Sequence, residues 1–95
     1  MEAAMTDIVI RNATKHTLNA PAGGAMKSVR ARFEIEPRDG QVLVYFAPYY
    51  ADPMRIAGPI SVVDIPTPEP EIYIQLVSGA KSVRVATLGY RDAAS

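Results

Sequence analysis

Between positions 29 and 36 the chain reads VRARFEIE, an unbroken alternation of apolar and charged residues. Val29, Ala31, Phe33 and Ile35 fall on one side; Arg30, Arg32, Glu34 and Glu36 fall on the other. A period of two is that of a half-buried β-strand with one wet face. PRDG (37–40) follows, with proline set for a type I turn and Gly40 able to take a left-handed position after it. QVLVYFA (41–47) is apolar on both faces, with Val42, Val44 and Phe46 opposed to Leu43, Tyr45 and Ala47. Two strands with a short turn between them predict a β-hairpin over 28–47.

The same grammar recurs at 71–88. EIYIQLV sets Ile72, Ile74 and Leu76 against Tyr73, Gln75 and Val77, and SGA with Gly79 leads into KSVRVATL. A second hairpin is expected there. Shorter strands are expected at TDIVIR (6–11) and ISVVDI (60–65). No stretch carries a sustained helical period. About six strands predict an all-β chain, a small single-domain antiparallel β-sandwich or partly open barrel over 1–95, frayed at 1–5 and 91–95.

The connections differ in character. Residues 12–26 form a long polar, glycine-containing loop, and structureless loops of that length are commonly functional or mobile. Residues 48–59 are bounded by prolines, with one helical turn expected at 52–57. PTPEP (66–70) has proline at every second position and reads as a stiff, extended connector without PxxP spacing.

Lys-Ser-Val-Arg occurs twice, at 27–30 and 81–84. The flanks differ, a long loop before one copy and a strand before the other, so the match reads as shared strand grammar and not as a duplicated unit. It places Arg30 and Arg84 on exposed sheet faces. If those faces coincide, the two form a small positive site.

Composition narrows the chemistry. The chain has no cysteine and one histidine, which removes disulfides, thiolate nucleophiles and multi-histidine metal sites within one chain. Ten basic residues balance ten acidic ones, where a non-specific nucleic-acid binder needs a basic surplus. No apolar run approaches the roughly 20 residues of a membrane helix. The start MEAAMTD lacks the layout of a signal peptide, so synthesis in the cytoplasm is expected, with a virion as one place of residence and no membrane partner. Asn12-Ala13-Thr14 matches a glycosylation sequon, which means little without secretion.

Candidates for catalysis are few. His16 has no nucleophile motif beside it and reads as an exposed loop residue. Glu34 and Glu36 lie about 7 Å apart along one strand face, a spacing some glycoside hydrolases use, but Arg30 and Arg32 continue that face as an ion-paired surface. Asp64 interrupts the apolar side of ISVVDIP, between Pro59 and Pro66, and reads as a charge that guards a sheet edge. Gly23-Gly24 is a turn signal. No cofactor, metal or catalytic set is expected.

The most distinctive stretch is YFAPYY (45–50), with Met54 and Ile56 close behind. Tyrosines at strand ends bury area at low entropic cost and keep a polar tip, which suits interfaces. The expected interaction residues are therefore Tyr45, Tyr49, Tyr50, Met54, Ile56, Arg30 and Arg84. The expected role is that of a non-enzymatic assembly module, a homo-oligomer subunit or an accessory component of a larger particle such as a virion decoration or tail piece. The alternative is a carbohydrate- or small-ligand-binding module that uses the tyrosines.

Overall fold

The computed structural model describes residues 8–10, 12–21, 24, 26–48 and 50–92. Its strands in chain order are β1 (Ile8–Ile10), β2 (Thr14–Thr17), β3 (Met26–Glu36), β4 (Gln41–Phe46), β5 (Met54–Ala57), β6 (Ile60–Ile65), β7 (Glu71–Val77) and β8 (Ser82–Asp92). They form two antiparallel four-stranded sheets. Sheet I has the order β1-β8-β3-β6 and sheet II the order β2-β7-β4-β5. The sheets face each other as an open β-sandwich, not a closed barrel.

The inward faces are those the alternation marks. Val29, Ala31, Phe33 and Ile35 of β3 are buried against Val42, Val44 and Phe46 of β4 and Ile72 and Ile74 of β7, with Val83, Val85 and Ile65 completing one core. Phe33 is the largest fully buried side chain. Burying such a side chain stabilises the fold by about 1.5–3 kcal/mol.

The pairing departs from the expected hairpins. β3 and β4 lie in different sheets, and so do β7 and β8. Each pair of strands is joined by an arch that crosses the sandwich, so the inward side chains of the two strands face each other across the core. The arches stack. Lys81 N–H donates to the Glu36 carbonyl at 2.8 Å, and Gly40 N–H donates to the Pro37 carbonyl at 2.8 Å. A Cβ on Gly40 would lie 2.8 Å from both Cα and Cβ of Ala80. A third crossing, at Gly58-Pro59, joins the same end: Gly58 N–H donates to the Gly40 carbonyl at 3.1 Å and Ile35 N–H to the Pro59 carbonyl at 2.8 Å. Among the described strands only β4 and β5 pair with a neighbour in sequence, through the connection 47–53. The order 1-8-3-6 over 2-7-4-5 is the eight-stranded, two-Greek-key connectivity of a jelly roll.

Other expectations change as well. The 12–26 loop contains β2, paired with β7 from Thr14↔Ile74 to Thr17↔Glu71. Leu18 then enters the core and its N–H donates to the Pro70 carbonyl at 2.9 Å. The segment over 14–17 is therefore sheet and not loop. The helical turn at 52–57 is instead β5, because Met54 and Ile56 alternate with Arg55 and Ala57 and pair with β4. PTPEP is not a straight rod; it bends after Pro68, held by the buried Thr67, whose hydroxyl donates to the Glu69 carbonyl at 2.9 Å. The predicted fraying from residue 91 does not occur at Arg91 and Asp92, since β8 runs on to pair Asp92 with Met26. Residues 1–5 and 93–95, together with 6, 7 and 11 of the predicted first strand, lie outside the described residues.

Candidate functional site

Two surfaces concentrate the exposed apolar side chains. The first is the outer face of sheet II. Along β7 the outward positions are Glu71, Tyr73 and Gln75. The register sets Lys15 of β2 on one side of Tyr73 and Tyr45 of β4 on the other. Tyr73 therefore stands at the centre of a cross made by Glu71, Gln75, Lys15 and Tyr45. The rings of Tyr45 and Tyr73 meet edge to face, with centroids 6.0 Å apart and planes at 74°, a favourable geometry for aromatic quadrupoles. The Tyr45 hydroxyl donates to Gln75 Oε1 at 2.9 Å. Lys15 Nζ lies 3.8 Å from Glu71 Oε2. Tyr50, from the β4–β5 connection, closes the rim of an open trough of about 590 Å³.

The second surface is the outer face of sheet I. The Arg30 guanidinium clasps the Asp64 carboxylate, with Nε to Oδ1 at 3.0 Å and Nη2 to Oδ2 at 3.3 Å. This pair joins directly opposed residues of β3 and β6. The hydrogen bond from Arg30 holds the Asp64 carboxyl below the usual carboxylate range and raises the Arg30 guanidinium in turn. Arg32 Nε lies 3.2 Å from Glu34 Oε2. Beyond these charges runs β6, an edge of the sheet that no other described strand covers, with Ile60 and Val62 turned outward at 59 % and 54 % exposure.

The predicted interaction residues divide. Tyr45 and Tyr50 come together in the trough; Tyr49 lies outside the described residues. Ile56 does not belong to any surface: it is 2 % exposed, because its register with Val42 turns it into the core. Met54 is half-buried and packs on that core. Arg30 and Arg84 do share the outer face of sheet I, but they form no positive site. Arg30 is bonded to Asp64, and Arg84 stands directly opposite Glu34. The two arginines' rows are four residues apart on β3, about 13 Å.

The catalytic candidates are scattered. Glu34 serves Arg32. His16 is half-buried on the core-facing side of β2, opposite Ile72, where burial lowers its pKa. It sits on a strand and not in an exposed loop. Asp64 points outward on the edge strand, so no buried carboxylate has to be accounted for. Among the described residues no three His, Asp or Glu side chains converge as a metal site, and no helix is long and apolar enough to cross a membrane.

Sequence reasoning missed Tyr73, Gln75, Lys15 and Glu71. The period-two reading of 71–77 already placed Tyr73 and Gln75 on one face; their importance comes from the strands that flank them, which needs the register. No family model, curated protein or solved structure matches this chain.

Proposed function

We propose that this chain is a non-enzymatic assembly module that joins a second copy of itself edge to edge through β6. The observation that carries the reading is the state of that edge. Proteins guard free strands with charges, prolines or bulges. Here the prolines, Pro59 and Pro66, only bracket the strand, and the six residues between them keep every backbone N–H. The single charge, Asp64, is already neutralised by Arg30 of the neighbouring strand. What the edge presents is Ile60 and Val62, the former being the most exposed large apolar residue described.

An antiparallel pairing centred on Ser61 places Ile60 of each copy against Val62 of the other. Such opposed aliphatic pairs each contribute roughly 0.2–1 kcal/mol, beside the new ladder hydrogen bonds. The result is one continuous eight-stranded sheet with two-fold symmetry. The setting that suits it is a homo-oligomer or an accessory structural part of a larger particle, with a virion decoration or tail component as the example. Jelly rolls occur in viral capsids, but also in lectins and cupins, so the fold supports that setting by analogy alone.

Light scattering across a wide concentration range tests the reading. A dimer that Val62→Lys converts to a folded monomer supports it. A protein that stays monomeric at the highest concentration reached rules out self-assembly through this edge.

A further inference from the structure

We infer that the tyrosine trough on the outer face of sheet II is a binding site for a neutral oligosaccharide built of hexopyranose units. It lies on the sheet opposite the β6 edge, so it does not depend on self-association, and a monomeric protein leaves it intact.

The chemistry of the lining selects the ligand. Tyr73 and Tyr50 are 42 % and 54 % exposed, and with Tyr45 they offer phenol rings on which the apolar C–H face of a pyranose packs. Sugars need directional hydrogen bonds around that face, and the rim supplies them. The Gln75 carbonyl is taken by the Tyr45 hydroxyl, which orients the amide and leaves its N–H₂ to donate to a ligand hydroxyl. Lys15 and Glu71 at 3.8 Å are too far apart for a tight hydrogen bond, so the ammonium can still donate and the carboxylate can still accept. Their charges cancel. An anionic sugar would meet Glu71 and a cationic one Lys15, so a neutral ligand is preferred.

A protein partner fits less well. Protein interfaces take their energy from deep, fully desolvated anchor pockets. Among the described residues the trough's aliphatic lining is Ala13 and Ile72, and Ile72 is only 1 % exposed. Its volume of about 590 Å³ is in the size range of small-ligand sites, roughly 300–1,000 Å³.

The experiment is a titration of the full chain with neutral gluco-, manno- and galacto-trisaccharides. A sialylated and an amino-sugar trisaccharide serve as charged controls. Binding is followed by saturation-transfer and amide-shift NMR. The expected result is saturable binding of at least one neutral sugar, with shifts centred on Tyr45, Tyr73 and Gln75. Tyr73→Ala should weaken it roughly tenfold or more. Tyr73→Phe, which keeps the ring, should retain most of the affinity, and Tyr90→Ala, outside the trough, should leave it unchanged. The assignment is overturned if no neutral sugar binds by about 10 mM, if a charged control binds more tightly, or if folded Tyr73→Ala keeps the wild-type Kd.

Discussion

Replacing glycine with alanine at positions 40, 58 and 89 should give opposite outcomes for one chemical change. At Gly40 the new methyl would sit 2.8 Å from Ala80 Cα and Cβ, against the 3.4–4 Å of ordinary contact. At Gly58 it would sit 2.8 Å from the Arg38 carbonyl oxygen and 3.2 Å from Ile35 Cβ. These neighbours are backbone or β-carbons and cannot rotate away, so the stacked arches must separate. Overpacking of this kind costs about 1–3 kcal/mol. The lower entropy of the unfolded chain returns about 0.4–1 kcal/mol. At the middle of both ranges the net loss is about 1.3 kcal/mol, or roughly 5–10 °C in Tm at this chain length. A domain of this size has about 5–14 kcal/mol in all, so both variants stay folded. Gly89 has no heavy atom within 4 Å of its would-be Cβ and does not have a positive φ. Gly89→Ala should therefore be neutral or stabilising by up to about 1 kcal/mol. Thermal and urea melts followed by far-UV circular dichroism measure all three. Adding Ala80→Gly to Gly40→Ala removes one of the two 2.8 Å contacts and should restore part of the loss. A Gly40→Ala protein as stable as wild type, or a Gly89→Ala protein that loses as much, would refute the stacked-arch reasoning.

Two further predictions rest on other parts of the molecule. Phe33→Ala empties the centre of the core and should cost about 3–5 kcal/mol, a large share of total stability, read as a lower urea midpoint. His16 has its pKa lowered by burial, so the unfolded chain binds a proton that the folded chain resists. The stability tied to its neutral form is complete above the unfolded pKa of about 6.5 and is lost as pH falls from there through the lowered folded value. His16→Gln should flatten the decline in Tm between pH 7.5 and the mildly acidic range; an unaltered slope would show that the histidine is not responsible.

The sequence shows its faces more readily than its pairings. The inward residues of β3 from Val29 onward, and those of β4 and β7, follow from alternation, because burial on one side of a strand imposes a period of two; Met26 does not, since a register shift between Met26 and Ser28 breaks the period. Whether PRDG closes a hairpin or an arch does not follow, since both join two alternating strands by a short turn. The physical discriminant is stacking: an arch that packs on another needs small residues at the contact, and Gly40 and Ala80 supply them. β2 escaped notice because Thr-Lys-His-Thr has no apolar residue to mark its inner face; its partners in β7 make it a strand. Proximity in sequence groups Ile56 with the tyrosines, whereas register with Val42 decides its direction. The trough is hidden for a related reason. Lys15, Tyr45 and Tyr73 become neighbours only when three strands distant in sequence are laid side by side.

The order of strands in sheet I also governs how the chain can be made. β8 is the last of the described strands in chain order, yet it lies between β1 and β3 and ladders with both, as in Ile8↔Val85 and Phe33↔Val85. Until residues 82–92 have emerged, β1 has no neighbour and β3 only one. Pairings between such distant segments bear the cost of loop closure before any contact rewards it, which places refolding in roughly the millisecond-to-second range. A nascent chain stalled before β8 could still ladder β3 with β6 and assemble sheet II, but β1 and the β8-facing side of β3 would stay unpaired, so the insertion of β8 is the step that completes sheet I.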